Sequence, residues 1–315
     1  MQKKTLSISI AAYNVEKYLD KTLASLCVPS IVEELEVLVV NDGSTDGTAE
    51  IARRYCNMYP ESFFLIDKEN GGYGSTINSS LEIATGKYFK LLDGDDWFDS
   101  NSLTVFVDRL RDCSADIVYT NFTSIQESSM NEDLTSFNWK GDVLFNAEDV
   151  DVLSMHGSTV RTHVLQQGMV RITEHCFYTD VEYSLKALAL CRTAEYFPIN
   201  VYCYRLGVQG QSVSLKGMIR HIDDHERISK MALDMVHSNK KLREVKPTID
   251  FMAQRHVNLL ILLGDCERYR NYVSFLRKEY PDVKTWEKAY QWFVSVFPSV
   301  FFRPVSNIKR RRNNL

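Results

Sequence analysis

The segment "YFKLLDGDDWFDS", residues 88–100, carries an apolar run into three carboxylates, Asp93, Asp95 and Asp96. Like charges that close repel, and desolvation raises the cost. Either water surrounds them or a cation is meant to sit among them. Gly94 permits a tight backbone path that aims Asp93 and Asp95 at one point. Hard oxygens at this density suit Mg2+ or Mn2+, which need few protein ligands when phosphate oxygens supply the rest. The plainer reading is a helix start, where acids favour the macrodipole ahead of "SNSLTVF". It accounts well for Asp96 and Asp99, and poorly for a pair at the end of a buried strand. An EF-hand calcium loop is excluded, because the twelfth position is Thr104 counted from Asp93 and Phe106 counted from Asp95, where Glu is required.

Three further stretches carry chemistry-bearing residues. "VVNDGSTDGT", residues 39–48, is good turn material in which Asp46 can cap a helix. Asp42 is left over, and its carboxylate can accept from an imide N–H of a base such as uracil. "NGGYGSTIN", residues 70–78, places glycines ahead of a helix, where exposed N–H groups attract phosphate. It is neither G-x-G-x-x-G nor a Walker loop, and a simple turn also explains it. His221 and His225 share a helical face at a spacing that can bind metal. Asp223, Asp224 and Glu226 beside them also fit a solvated face.

These residues need elements to hold them. Residues 6–11, 35–41, 63–67 and 88–92 read as strands, and "ADIVYTNFT" as another. Between them, residues 15–26, "DGTAEIARRYCNMY", residues 74–85 closed by Gly86, and "SNSLTVFVDRLRD" read as helices. This alternation predicts a mostly parallel sheet covered on both faces. Ligands of such sheets sit beyond the carboxyl ends of the strands. Residues 12–14, 42–47, 70–74 and 93–96 each follow a strand and therefore line one edge. Residues 124–170 are less regular, and "SIQESSMNEDLTSF" reads as a loop or hairpin. "YTDVEYSLKALALC" is a helix and "AEYFPINVYCYRL" one or two strands. Beyond Lys216 three long helical stretches follow, the last stopping at Pro298.

The 315 residues are enough for one large or two ordinary domains. With 44% hydrophobic and 25% charged residues the chain is globular, and a net charge of −4 gives no global basic field for nucleic acid. Seven cysteines without a C-x-x-C pair indicate reduced thiols in a cytoplasmic protein. The apolar run at the N-terminus is too short for a signal peptide, and no stretch is long enough for a transmembrane helix.

"SISIAAYNVEKYLDKTLASL", "VLVVNDGSTDGT" and "ENGGYGSTINSSLEIATGKYFKLLDGDDWF" follow one another at separations that resemble the nucleotide-binding half of family 2 glycosyltransferases, inverting enzymes of the GT-A fold. The resemblance is strong over residues 6–98 and extends loosely to about residue 214 through "FYTDVEYS" and "YRLGVQGQSVS". It implies an α/β fold of GT-A type, a mostly parallel sheet flanked by helices, with a C-terminal helical extension. Residues 1–215 would form the glycosyltransferase domain, with 1–123 the nucleotide-binding half and 124–215 the acceptor half. Residues 216–315 would form the extension.

The resemblance also implies roles. Ala12, standing where Pro is usual, with Tyr13 and Asn14, would cradle base and ribose, and Asp42 would read the base. Gly72 and Gly94 would let backbone approach the donor. Asp93 would face ribose and metal, and Asp95 would ligate Mn2+ or Mg2+ under the diphosphate. Asp180 would be the base that activates the acceptor, with Gln211 and Ser212 closing on the diphosphate and His221 a further metal ligand. Many members carry an Arg before the Asn of the glycine-rich segment; here Ile77 stands there, preceded by Thr76, and Arg205 is the substitute considered. The competing role for Asp180 is to cap the helix from Val181, which Thr179 could do equally. His156 and His175 are structural or line the acceptor cleft.

The chemistry matches these residue types. A carboxylate takes the acceptor proton as the bond forms, and a divalent ion stabilises the leaving diphosphate. The expected enzyme is an inverting hexosyl- or N-acetylhexosaminyltransferase. It would move sugar from a nucleotide diphosphate donor, a UDP-sugar, to a hydroxyl of a cell-surface glycan or lipid-linked oligosaccharide. Trp292, Phe293, Phe297, Phe301 and Phe302 precede Lys309–Arg312, which suits peripheral contact with an anionic membrane as well as it suits a packed helix and solvated tail. The rival readings are a nucleotidyltransferase, whose basic glycine-rich signature "AAYNVEKYL" lacks, and an inactive nucleotide- or carbohydrate-binding module.

Overall fold

The computed structural model describes residues 4–207 and 214–283. The chain divides into two compact units, Met1–Gln209 and Gly210–Leu315. Gln211, Ser212 and the aromatic and basic residues from 292 onward lie outside the described residues.

The first unit runs β1 (Leu6–Ala12), α1 (Leu19–Ala24), β2 (Leu35–Asp42), α2 (Thr48–Met58), β3 (Phe63–Lys68), α3 (Tyr73–Ile83) and β4 (Tyr88–Asp93). It continues with β5 (Trp97–Phe98), α4 (Ser100–Asp112), β6 (Ile117–Gln126), β7 (Glu132–Thr135), β8 (Phe145–Asn146), β9 (Ser158–Arg161), α5 (Thr162–Gln167), α6 (Thr179–Leu190) and β10 (Thr193–Leu206). Among the described residues the strands join one ten-stranded sheet ordered β3-β2-β1-β4-β9-β6-β10-β5, with β7 on β6 and β8 on β10. β1 through β4 pair in parallel, as do β6 and β10, while β9 runs antiparallel between β4 and β6. The mostly parallel α/β architecture expected from the sequence is therefore present.

Alternation along β1 shows why both faces are buried. Leu6, Ile8, Ile10 and Ala12 enter the main core with Val37, Val39, Leu92 and Phe106. Ser7 and Ser9 point the other way, beneath α3. There Ser9 Oγ bonds Ser80 Oγ at 2.7 Å and Ser7 Oγ accepts from the Gly86 N–H at 2.8 Å. Small polar residues let α3 lie close, and their hydroxyls find partners as buried hydroxyls must.

Several local expectations change. α1 is shorter than the sequence reading, because the Val15 and Glu16 N–H groups donate to Thr48 Oγ1 (2.9 Å) and Asp46 Oδ2 (3.2 Å), which fixes the entry. α3 ends at Ile83, and Gly86 is no left-handed cap. It is glycine for space, since a Cβ there would stand 2.5 Å from the Ser7 nitrogen. The cap position of α2 is Gly47, yet Asp46 Oδ1 still accepts from the Thr48 N–H at 3.1 Å. The polar stretch after β6 is a hairpin, and "AEYFPINVYCYRL" is one strand whose register slips around Pro198, which has no N–H to pair.

The second unit contains α7 (Leu215–Arg220), α8 (Ile222–Ser238), α9 (Lys246–Leu263) and α10 (Cys266–Glu279). The expected continuous helix over the last two is broken where Gly264 turns left-handed (φ 73°) and Asp265 caps α10 by accepting from the Arg268 N–H at 3.0 Å. His225 is buried, its Nδ1 3.2 Å from Nδ1 of His256, so the solvated face considered for it is not found. Glu226 binds Lys230 (2.8 Å) and Arg268 (2.9 Å) and lies 3.6 Å from His256 Nε2. His221 stands between α7 and α8. Among the described residues no helix is long and apolar enough to cross a membrane.

Candidate active site

The carboxyl ends of β1, β2 and β4 deliver the residues singled out from the sequence. Ala12 is buried at the end of β1, and Tyr13 beyond it is exposed. Asn14 takes a left-handed conformation (φ 53°), and its Oδ1 accepts from the Thr45 N–H at 2.9 Å. The loops after β1 and β2 are thereby stitched together.

Asp42 lies at the end of β2. It is only 2% exposed. Its carboxylate accepts from Lys68 Nζ (2.8 Å), the Gly71 N–H (2.9 Å), the Gly72 N–H (2.8 Å) and Ser75 Oγ (3.2 Å). Three of those donors converge on Oδ1, and Oδ2 takes only the Gly72 N–H. Asp42 therefore holds the glycine-rich loop, chiefly through Oδ1. Gly72 caps α3 with φ 78°, a conformation that favours glycine.

β4 ends in the acidic cluster. Asp93 and Asp95 are half-buried, whereas Asp96 is 1% exposed. Gly94 lets the turn close, since a Cβ there would meet the Ala11 carbonyl at 2.7 Å. Asp93 Oδ1 accepts from Tyr73 OH at 2.8 Å. Asp96 accepts from Tyr202 OH at 2.6 Å and from the Arg205 N–H at 2.7 Å. Asp96 is thus no helix-start residue; Asp99 alone caps α4, accepting from the Ser102 N–H at 2.8 Å.

Asp180 lies in the first turn of α6, half-buried. Neither it nor Thr179 is the cap; Tyr178 occupies that position in a left-handed conformation (φ 63°) and makes no side-chain capping bond. Burial, the Asp95 charge and the Asp180 charge together push the Asp93 carboxyl up to about 7, against the bond from Tyr73. Burial also raises Asp180, and raises Asp96 with help from Asp93 and Asp95. These carboxylates therefore crowd one place with hydroxyl and N–H donors but little positive charge.

Arg205 reaches the acidic turn from β10. Its guanidinium packs over the rings of Tyr18 (4.8 Å) and Trp97 (5.0 Å), bonds Glu127 at 3.0 Å, and donates from Nε to the Asp95 carbonyl at 2.8 Å. It shapes the acidic turn through the main chain. Ile77 and Thr76 are buried in the core.

Asp93, Asp96 and His156 bring ligand atoms within 4.8 Å of one another. A carboxylate-rich set with an imidazole fits Mn2+, and oxygen ligands alone fit Mg2+. Burial and Lys90 hold the His156 ring near 3, hence neutral and able to ligate. Lys90 is fully buried and is itself pushed down to about 7. Sequence reading missed Tyr73, Tyr202, Lys90 and the place of His156. Tyr73 stood within the quoted glycine-rich segment, but nothing local marked the others.

The segment before Asp180 is locked to the glycine-rich loop. The His175 N–H donates to the Gly71 carbonyl at 2.6 Å, and Asn78 pairs with both main-chain groups of Ile172 at 2.8 and 2.9 Å. A Cβ on Gly74 would stand 2.1 Å from the Thr173 carbonyl. Buried Glu182 accepts from the Thr173 N–H at 3.0 Å and from Lys186 at 2.7 Å. One packed unit thus carries both Tyr73, which touches Asp93, and the helix that bears Asp180.

Comparison with known proteins agrees with this geometry. The chain is 32% identical over 123 residues to Glycosyltransferase GlyA of Streptococcus pneumoniae, covering 39% of this chain and 17% of that protein. It is 27% identical over 240 residues to chondroitin synthase of Escherichia coli, covering 75% of this chain and 33% of that one. It thus spans a minor part of these two relatives. It covers 78% of the putative glycosyltransferase EpsH of Bacillus subtilis, at 23% identity. S. aureus TarS 1-349 in complex with UDP-GlcNAc superposes with a TM-score of 0.57 at 17% identity, covering 98% of this chain and 92% of that one. The fold is accordingly of GT-A type. The family model described as glycosyl transferase family 2 matches residues 7–184, more than half of the chain, and with the strand-end carboxylates in place the protein belongs to that family.

Proposed function

We propose that this chain is a metal-dependent, inverting glycosyltransferase that moves a sugar from a UDP-sugar to a hydroxyl of a cell-surface glycan or lipid-linked oligosaccharide on the cytoplasmic side of the membrane. The observation that carries the reading is the crowding of Asp93, Asp95 and Asp180 at one edge of the sheet, where burial and like charge push Asp93 up to about 7. Such a cluster is short of one cation. Asp93 and Asp95, with Asp96 and His156 beside them, would hold Mn2+ or Mg2+. When bound, that ion supplies Lewis-acid stabilisation to a departing diphosphate.

The chain's own residues do the rest. Tyr13 and Asn14 line the base and ribose, and Gly72 lets the backbone approach the donor. Asp180 takes the proton of the acceptor hydroxyl; burial raises its carboxyl toward the range where a base works best near neutrality. One base and one displacement give inversion at the anomeric carbon. Residues 1–215 form the catalytic domain in this reading, and the helices after it are an appendage. Structures of similar fold support a nucleotide-sugar donor: TarS 1-349 was captured with UDP-GlcNAc and with UDP, which favours uridine, and a Pyrobaculum calidifontis mannosyltransferase with GDP-Man and Mn2+.

The test is calorimetric titration of UDP with Mn2+, with Mg2+ and with chelator, followed by a donor screen read by UDP release. Binding that is equally tight in chelator overturns the metal-dependent reading. Pyrophosphate release from UTP and a sugar phosphate would replace the reading with a nucleotidyltransferase.

A further inference from the structure

Behind the carboxylates lies an aromatic layer with one histidine in it. The His156 ring stacks on Tyr204 at 4.2 Å, meets Tyr202 edge-on at 4.9 Å and tilts against Phe122 at 5.3 Å. Its main chain is pinned as well, since Lys90 Nζ donates to the His156 carbonyl at 2.8 Å and the Ser158 carbonyl at 3.1 Å. Packing alone would be served as well by phenylalanine. Yet a ring nitrogen comes within 4.8 Å of carboxylate oxygens of both Asp93 and Asp96, and neither ring nitrogen has a hydrogen-bond partner among the described residues.

We infer that His156 supplies a ring nitrogen to the same divalent cation as Asp93, and that the site therefore prefers Mn2+ to Mg2+. This rests on the functional reading above. The family resemblance puts a histidine ligand at 221; the geometry of the sheet unit puts one at 156. Mg2+ is an all-oxygen ion that keeps its waters, whereas transition ions accept imidazole. Asp96 is the lesser ligand of the group, since Tyr202 and Arg205 already occupy one lone pair on each of its oxygens. Lys90 holds the main chain that carries His156, and the rings of Tyr204 and Tyr202 fix the plane of the imidazole.

The experiment is pulsed electron paramagnetic resonance of Mn2+ on the full chain with UDP. Directly bound imidazole gives 14N modulation, and growth on 15N-histidine converts it to the 15N pattern without any mutation. His156→Gln then abolishes the modulation and weakens Mn2+ binding about tenfold, while Mg2+ affinity in the presence of UDP changes less than about twofold, as expected for an oxygen-seeking ion. Mn2+ bound without nitrogen coupling, or coupling that survives in His156→Gln, overturns this assignment alone. No Mn2+ bound with UDP present overturns both the assignment and the functional reading.

Discussion

In the helical unit, Glu226 sits among His256, Lys230 and Arg268, and these partners hold its carboxyl well below the usual range. In the sheet unit, Asp93 sits beside Asp95 and near Asp180, and burial with those like charges pushes its carboxyl up to about 7. Both clusters are built of ordinary ionisable side chains inside a packed protein. One closes its own electrostatic account; the other leaves it open at the place where several strands end. Structural networks neutralise themselves, whereas a site for an ionic ligand is incomplete without it.

The sharpest break of this contrast is at Asp180. Asp180→Asn should lower kcat about 10³-fold, within the range for loss of a general base, with UDP affinity in Mn2+ changed less than about twofold. Steady-state kinetics with calorimetry decides it, and unchanged turnover places the base elsewhere. Next, Asp95→Ala should remove about 100-fold of the Mn2+-dependent gain in UDP affinity, leaving weak binding that chelator no longer affects.

The helical cluster should answer with stability alone. Glu226→Gln removes the counter-charge of Lys230 and one of the two carboxylates on Arg268, which keeps Asp223 at 2.7 Å, and should cost about 1 kcal/mol in denaturant unfolding, with UDP binding unaltered. The last effect is no larger and has the opposite sign. In chelator at pH 7, Asp93→Asn should stabilise the protein by about 1 kcal/mol, roughly 2–4 °C in Tm, because a neutral amide keeps the bond from Tyr73 and drops the repulsion. The linkage agrees: a carboxyl with a raised folded pKa binds more protons folded than unfolded between about 4 and 7. Its contribution to stability therefore falls as pH rises through that window. Asp93→Asn should flatten that slope in metal-free thermal melts, and Mn2+ with UDP should flatten it in the wild type.

Much of the sheet unit was legible because both faces of β1, β2 and β4 are covered, so strands read as near-continuous apolar runs ending in polar turns. β9 was not legible. It is four residues long and its pairing with β4 and β6 depends on segments far away in sequence. The acidic turn announced itself, but the division of labour within it did not. Asp42 and Asp93 both look like exposed strand-tip acids, and only tertiary contacts show that Lys68 and two backbone N–H groups tie the first to the glycine-rich loop. His156 could be named but not placed, since its neighbours Lys90, Tyr202 and Tyr204 come from strands β4 and β10, far away in sequence.

The contact between Gly74 and Thr173, where even a methyl group has no room, has a consequence for engineering. Segments 70–78 and 170–182 form a single exchangeable cassette. Transplanting the acceptor-side stretch from another transferase without its own glycine-rich partner would jam the seam, so chimaeras should inherit both pieces or neither.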